Sequence, residues 1–298
     1  MSKPGPIAIF GGMGYLGQAL YRHLVSKKID SWVIGRQNAK EAILPEDSHY
    51  RSSQPSLEQA VSGAGTVFHF ASVTTPAVGE MKPLLDLENV ALTLSLAEAC
   101  EKARVRHLIF ASSGGAVYGE LSQPASEDFP TRPLSSYGIA KLASEQYLSN
   151  FAQRSHVHVT VLRMSNVYGG RQIKKGEQGV VSYLYHQIMS GQPIHLFGDT
   201  VRDYLFIDDV INAFEQTIHQ HPTRYQILNI STSIGTRLSK LTSLICDLMG
   251  KKAKIIIEQR RSCDVTYNVL KNNRARSILK WRPAYSLRAG LAKYLNGQ

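Results

Sequence analysis

Ile7-Ala8-Ile9-Phe10-Gly11-Gly12-Met13-Gly14-Tyr15-Leu16-Gly17-Gln18-Ala19-Leu20 carries the most specific structural signal in the chain. Four apolar residues read as a buried strand, the glycines as a tight turn, and the residues beyond as a helix reaching to about Ser26. Gly11, Gly14 and Gly17 stand in GxxGxxG spacing rather than the commoner GxGxxG. Such a turn brings backbone N–H groups close to a pyrophosphate at a helix N-terminus and lets the helix pack tightly on the strand. A glycine turn can also be purely structural. Its position at the first strand-to-helix junction favours dinucleotide binding, with Gly11, Gly14, Tyr15, Leu16 and Gly17 as the contact residues.

Beyond this stretch, short apolar runs at residues 31–34, 66–70, 107–111 and 158–163 read as strands, and residues 87–103 and 137–154 as helices. Alternation of this kind predicts a doubly wound parallel α/β sheet with helices on both faces. From about Asn166 the pattern loosens into longer loops, including the polar residues 172–179, followed by short helices and strands. The expected organisation is a dinucleotide-binding domain over residues 1–165 and a smaller, discontinuous lobe over 166–298. Segments of about 200–230 are expected to return to the first domain.

The chain has 298 residues, enough to bury a core without disulfides or metal. An apolar fraction of 43% and a charged fraction of 19% fit a globular protein and argue against disorder. The opening MSKPGPIAIFGG lacks the apolar core and cleavage site of a signal peptide, and no run reaches the roughly 18 apolar residues of a membrane span. Cys100, Cys246 and Cys263 form no CxxC pair, which argues against a disulfide framework or a zinc site, so no metal and a cytoplasmic location are expected. The net charge of +11 suits nucleic acid, an anionic surface or small polyanions. Nucleic-acid binding would cluster Lys and Arg with aromatics on one face, whereas here they are scattered, with only short pairs such as Lys27-Lys28 and Lys251-Lys252.

The second strand ends Ile34-Gly35-Arg36, where an NAD binder usually places an acidic residue for the ribose 2′-hydroxyl. Glycine leaves room and Arg36 offers a fork for a phosphate, which favours NADP(H), with NAD(H) the alternative. Tyr137 and Lys141 stand at i and i+4 on one helix face. An ammonium there would stabilise tyrosinate and lower the phenol pKa, fitting Tyr137 to exchange a proton at a carbinol. With 14 tyrosines and 16 lysines, roughly one such spacing is expected by chance, and Tyr267/Lys271 is a second case. Setting separates them: Tyr137 follows a strand downstream of the glycine turn, while Tyr267 lies in a late segment and reads as structural. Ser112 and Ser113 end the strand before Tyr137, where a hydroxyl could donate to a substrate oxygen or merely cap a turn.

Together these residues resemble the extended short-chain dehydrogenase/reductase family of nucleotide-sugar epimerases, dehydratases and ketoreductases. The resemblance covers GxxGxxG, His69-Phe70-Ala71, Asn89, SSGGAVYG from Ser112, Tyr137/Lys141, LRMSNVYGGRQ from Leu162, FGDTVRDYLFIDDV from Phe197, RRSCDV from Arg260 and the closing LKWRPAYSLRAGL. It implies a Rossmann first domain and a second lobe that holds a nucleoside-diphosphate sugar. It further implies Tyr137 as catalytic acid/base and Lys141 on the nicotinamide ribose. Ala71 and Asn89 would face the cofactor, Asn166 and Arg202 the diphosphate, and Arg261 or its neighbour Arg260 the nucleotide. A homodimer through the 87–103 and 137–154 helices is the family expectation, with no nucleic-acid or membrane partner.

The sequence departs from the family at four places, one of them Gly35, where the second strand would usually end on an acidic residue. The usual catalytic Ser or Thr falls on Gly114, so Ser113 or Ser112 would have to supply the hydroxyl. A usual late glycine is Cys263. No Asp-Glu pair follows the serine strand, which argues against a 4,6-dehydratase. The Gly35-Arg36 pair favours NADPH-dependent reduction of a 4-keto-6-deoxyhexose nucleotide, such as dTDP-4-dehydro-6-deoxyglucose, in O-antigen, lipopolysaccharide or other surface-polysaccharide biosynthesis. An NAD-dependent UDP-glucose 4-epimerase is the close alternative. A non-catalytic NADP-sensing protein stays open because Gly114 lacks the hydroxyl.

Overall fold

The run Ile7–Phe10 forms strand β1, and neither face of it touches water. Ile7 and Ile9 enter one core, Ala8 and Phe10 another, as the two-residue period of a strand covered on both sides requires. A computed structural model describes residues 5–35, 49–53, 56–74, 76–170, 179–220, 223–259 and 265–297. After β1 come α1 (Tyr15–Ser26), β2 (Ser31–Gly35), β3 (Tyr50–Ser52), α2 (Leu57–Val61), β4 (Thr66–His69), α3 (Pro76–Met81) and α4 (Pro83–Lys102). Next follow β5 (His107–Ser113), the single turn α5 (Gly114–Val117), α6 (Ser136–Arg154) and β6 (His158–Met164). The chain then builds β7 (Asn166–Tyr168), α7 (Val180–Ser190), β8 (Ile194–Phe197) and β9 (Val201–Phe206). It continues through α8 (Ile207–Ile218), β10 (Tyr225–Ile230), β11 (Gly235–Arg237) and α9 (Leu238–Met249), and ends with β12 (Ile255–Glu258), β13 (Tyr267–Asn268), α10 (Asn273–Ile278) and α11 (Leu287–Asn296).

Seven strands form one sheet in the order β10-β6-β5-β4-β1-β2-β3, and every pairing is parallel. This is the Rossmann arrangement. The chain winds outward from β1 through β2 on one side and from β4 on the other, so the carboxyl ends of β1 and β4 open a crevice at the switch point. On one face Leu20 and Leu24 of α1 pack with Val210 and Phe214 of α8; on the other, Leu96 and Cys100 of α4 pack with Leu148 and Phe151 of α6. A smaller lobe stands over the crevice. Its β9 pairs with β7 and β13 in parallel and β11 antiparallel, beside a parallel β8–β12 pair.

The start of α4 departs most from the sequence expectation. Helix α4 starts at Pro83, four residues earlier than residue 87, because proline is well suited to a first helical position. Strand β5 runs on through Ser112 and Ser113, which pair with Arg163 and Met164 of β6. Among the described residues no helix is long and apolar enough to cross a membrane.

Candidate active site

The glycine turn is sterically closed to larger residues. Gly11 has φ +83°, and a Cβ there would stand 2.3 Å from the Ala71 backbone nitrogen. A Cβ on Gly17 would meet the Gly11 carbonyl oxygen and the Gly12 Cα at 2.5 Å each. At Gly14 the situation is opposite: a Cβ would approach only the Gly11 oxygen, at 3.3 Å, so the space before α1 is open. Gly14 caps α1 without a side-chain hydrogen bond, and the first turn holds no acidic residue. An uncapped helix start with open space before it fits a dinucleotide pyrophosphate. At the end of β2, Gly35 lies beside Met13 and the Tyr50 hydroxyl, and β2 carries no carboxylate there. Arg36 lies outside the described residues.

Helix α6 begins with Ser135, whose hydroxyl accepts from the Gly138 N–H at 3.1 Å, and this start presents Tyr137 and Lys141 one turn apart. Lys141 is buried; its Nζ donates to the Ala111 carbonyl at 2.8 Å and stands 4.6 Å from the Phe110 ring centroid and 5.8 Å from that of Tyr137. Burial lowers the Lys141 pKa to about 8, against the pull of Glu145 and Asp86 in the other direction. Tyr137 is hydrogen-bonded to Ser113, yet burial, reinforced by the charge of Asp86, pushes its pKa up to about 12. This corrects the sequence expectation of a lowered phenol pKa: the ammonium is held by a carbonyl, and loss of water outweighs its field. The resting phenol is therefore protonated.

Ser112 does not reach this site. The strand alternates, so Ser113 follows Ile109 and Ala111 toward one face while Ser112 follows Leu108 and Phe110 toward the other. The buried Ser112 hydroxyl donates to Glu145 Oε1 at 2.5 Å, which removes it as a candidate catalytic hydroxyl. Glu145 in turn receives Arg163, from Nη2 at 2.6 Å and from Nε at 3.1 and 3.2 Å. Sequence reading missed this pair, although Glu145 repeats the i+4 spacing after Lys141. Gly114 has no room for the family hydroxyl, since a Cβ would stand 2.3 Å from Leu270 Cδ1 in a buried cluster.

A cavity of about 710 Å³ joins Tyr15, Leu16, Ser113, Tyr137, Asn166 and Arg202, six residues singled out from sequence. Its size is that of small-molecule sites. Its far wall adds Tyr183 and His195, which no sequence pattern marked, and Phe197 and Tyr204, which lie in the FGDTVRDYLFIDDV motif but had no role assigned. Asn166 donates to the Asp203 carbonyl at 3.3 Å. Arg202 donates to the carbonyls of Val201 at 3.0 Å and Val265 at 2.5 Å. Neither neighbouring carboxylate is spent on it: Asp203 is buried under donors from Ser165, Thr232 and Ser233, and Asp208 accepts from Lys293.

Ala71 and Asn89 line a second, very small cavity with Tyr137 and Lys141. The Asn89 amide is engaged internally, accepting from Val73 N–H at 2.7 Å and donating to Thr74 Oγ1 at 2.8 Å, so it shapes the loop after β4. Tyr267 lies in β13, where its N–H bonds Glu120; with no helix there, its spacing to Lys271 builds no site. Arg260, Arg261, Cys263 and most of the 172–179 loop fall outside the described residues. No group of three metal-ligating side chains occurs among the described residues.

Comparison with known proteins agrees with this fold. A UDP-glucose 4-epimerase of Mycolicibacterium smegmatis is 35% identical over 76% of this chain and 74% of its own. A dTDP-4-dehydro-6-deoxyglucose reductase of Escherichia coli is 32% identical over 99% of this chain and 98% of its own. The crystal structure of a Thermotoga maritima UDP-glucose 4-epimerase with UDP-glucose superposes with a TM-score of 0.89 at 30% identity, covering 98% of this chain and 97% of that one. Residues 7–231 match a single family description, and the chain belongs to the NAD-dependent epimerase/dehydratase family.

Proposed function

We propose that the protein reduces a nucleoside-diphosphate-4-keto-6-deoxyhexose at C4, using NADPH. The observation that carries the reading is the end of β2, where Gly35 stands without a carboxylate for a ribose 2′-hydroxyl. The named activity of the E. coli relative, matched nearly end to end, supports it. So does a resting Tyr137 that holds its proton, the form needed to protonate a ketone oxygen.

In this reading Arg202 and Asn166 hold the substrate diphosphate in the large cavity, and Arg261 adds a further cation. The helix α1 start and the glycine turn hold the dinucleotide pyrophosphate; when bound, the reduced dinucleotide supplies the hydride. Ser113 orients the C4 oxygen against the Tyr137 hydroxyl, and Tyr137 donates its proton to that oxygen. Lys141, held by the Ala111 carbonyl, keeps a cation beside the phenol as it gains negative charge. The exposed apolar residues Leu84 and Leu87 of α4 and Ile139 and Tyr147 of α6 suit a homodimer interface. The reaction would serve surface-polysaccharide synthesis in the cytoplasm.

The test supplies a purified 4-keto-6-deoxy sugar nucleotide with NADPH and follows absorbance at 340 nm. Stoichiometric oxidation, lost in Tyr137→Phe, is expected. The second reading, a 4-epimerase, is favoured by the activities named for the M. smegmatis and T. maritima relatives. Interconversion of UDP-glucose and UDP-galactose without added cofactor, together with no NADPH oxidation, would establish it instead. Dinucleotide binding with neither activity would mark a sensing protein.

A further inference from the structure

Beneath the loop that follows β4 lies a carboxylate that the proposed chemistry does not use. Asp86, on the first turn of α4, is buried. Its Oδ1 accepts from Thr74 Oγ1 at 2.5 Å and from Asn89 Nδ2 at 3.4 Å. Its Oδ2 is buried with no hydrogen-bond partner, facing Gly79 of α3, where a Cβ would come within 2.2 Å of it. Asn89 connects this cluster to the small cavity that Tyr137 and Lys141 also line. Helix α3, which roofs Asp86, packs against both α4 and α6.

We infer that Asp86 is a positioning residue whose charge keeps Tyr137 and Lys141 loaded with their protons, biasing the site toward proton donation. The effect is Coulombic. A carboxylate in a water-poor setting acts through protein rather than solvent, so its field on a neighbouring cation or phenol is weakly screened. It favours an ammonium and disfavours a tyrosinate. Both effects point one way: Asp86 raises the affinity of Lys141 and of Tyr137 for a proton.

The other groups around the pair do not duplicate this. From α6, Glu145 also favours the ammonium, but its carboxylate is bound by Arg163 of β6. From β4, His69 is held neutral by burial. Thr74 and Asn89 are uncharged. Asp86 is thus the carboxylate near the pair that no described cation neutralises by an ion pair.

The bias toward donation rests on the ketoreductase reading; the electrostatic coupling does not, and it can be read without substrate. Full-length protein labelled with 13Cε-lysine is titrated by NMR. Lys141, identified by loss of its signal in Lys141→Met, should titrate near pH 8, well below ordinary lysines. In Asp86→Asn, which keeps an acceptor for Thr74, its midpoint should fall by about one unit. Asp86→Ser should lower it likewise, and covers the case in which Asn does not fold. Thr74→Val, which breaks the hydrogen bond but keeps the charge, should leave it in place. A Lys141 midpoint that stays within 0.3 unit in a folded Asp86→Asn or Asp86→Ser protein overturns the proposal, as does an equal fall in Thr74→Val, which would make Asp86 a loop clamp only. With a turned-over substrate, the high-pH loss of reduction should move down by the same amount in Asp86→Asn. Failure of that shift alone, with the NMR shift present, would count against the ketoreductase reading instead.

Discussion

Replacing Glu145 by Gln should unbalance the centre of the first domain. Glu145 is fully buried on α6, and Arg163, on β6, is 3% exposed. Three N–H···O contacts join them, the shortest 2.6 Å, while Arg163 Nη1 donates to the Tyr118 hydroxyl at 2.9 Å and Ser112 donates to Glu145. Glutamine keeps the volume but removes the charge, and it offers the guanidinium an amide whose two N–H groups cannot accept. Leaving one buried charge without its partner costs about 3–5 kcal/mol. For a chain of this length each kcal/mol is roughly 2–4 °C in Tm, so a drop on the order of 10 °C is expected by calorimetry. The informative comparison is Glu145→Met with Arg163→Met. Removing both charges restores an apolar contact, and Tyr118 keeps Asn229 as its acceptor at 2.8 Å. Ser112 loses its acceptor and the Glu127 carbonyl loses a long donor at 3.4 Å, so urea unfolding should find the double variant within about 1–2 kcal/mol of the parent and a coupling of several kcal/mol across the cycle. A Glu145→Gln cost below about 1 kcal/mol, or a double variant that loses the sum of both singles, would refute the view that the pair is held by mutual compensation.

Gly17→Ala drives a methyl to 2.5 Å from two backbone atoms of the turn, and should weaken dinucleotide binding at least tenfold by fluorescence titration while circular dichroism stays near that of the parent. Gly114→Ser restores the family hydroxyl in chemistry but not in space; the contact with Leu270 should cost about 1–3 kcal/mol in urea unfolding and give no gain in turnover. His69 and His107 are both held neutral by burial, with pKa values lowered to about 3 from an ordinary 6.5. Below pH 6.5 the unfolded chain takes up protons that the folded one refuses, so stability falls with falling pH across the window from 6.5 toward 3. Between pH 7.5 and 5.5 each histidine should cost about 1.4 kcal/mol by linkage, and His107→Gln should flatten that slope in pH-dependent urea melts.

The sheet was legible because its signals are local. Ile7–Phe10 and Leu108–Ala111 are buried on both faces, so they read as unbroken apolar runs, and the glycine turn announces its own geometry. Short edge pieces such as β3 and α2 escaped because three to five residues carry no usable period. The serine pair shows the limit more sharply. Strand parity alone puts Ser112 and Ser113 on opposite faces, and that much can be derived from sequence. Which face holds the cavity depends on α6 and on the second lobe, more than twenty residues away. Gly114 is similar: its want of a hydroxyl is visible in sequence, but the side chain that a Cβ there would meet, Leu270, lies 156 positions later.

The direction of proton bias at Tyr137 is the least local property of all. An i, i+4 spacing brings an ammonium to the same helix face as a phenol, and on that ground alone the phenol should be acidified. The sign reverses because three long-range facts act together. Packing strips water from the pair, with Lys141 buried and Tyr137 half-buried on the cavity wall, the Ala111 carbonyl holds the ammonium, and the charge of Asp86 on α4 favours the protonated phenol. Each of these is a tertiary contact between segments with no shared period. The pair of residues therefore identifies a proton-transfer site, while the packing around it decides whether the resting site is poised to give a proton or to take one.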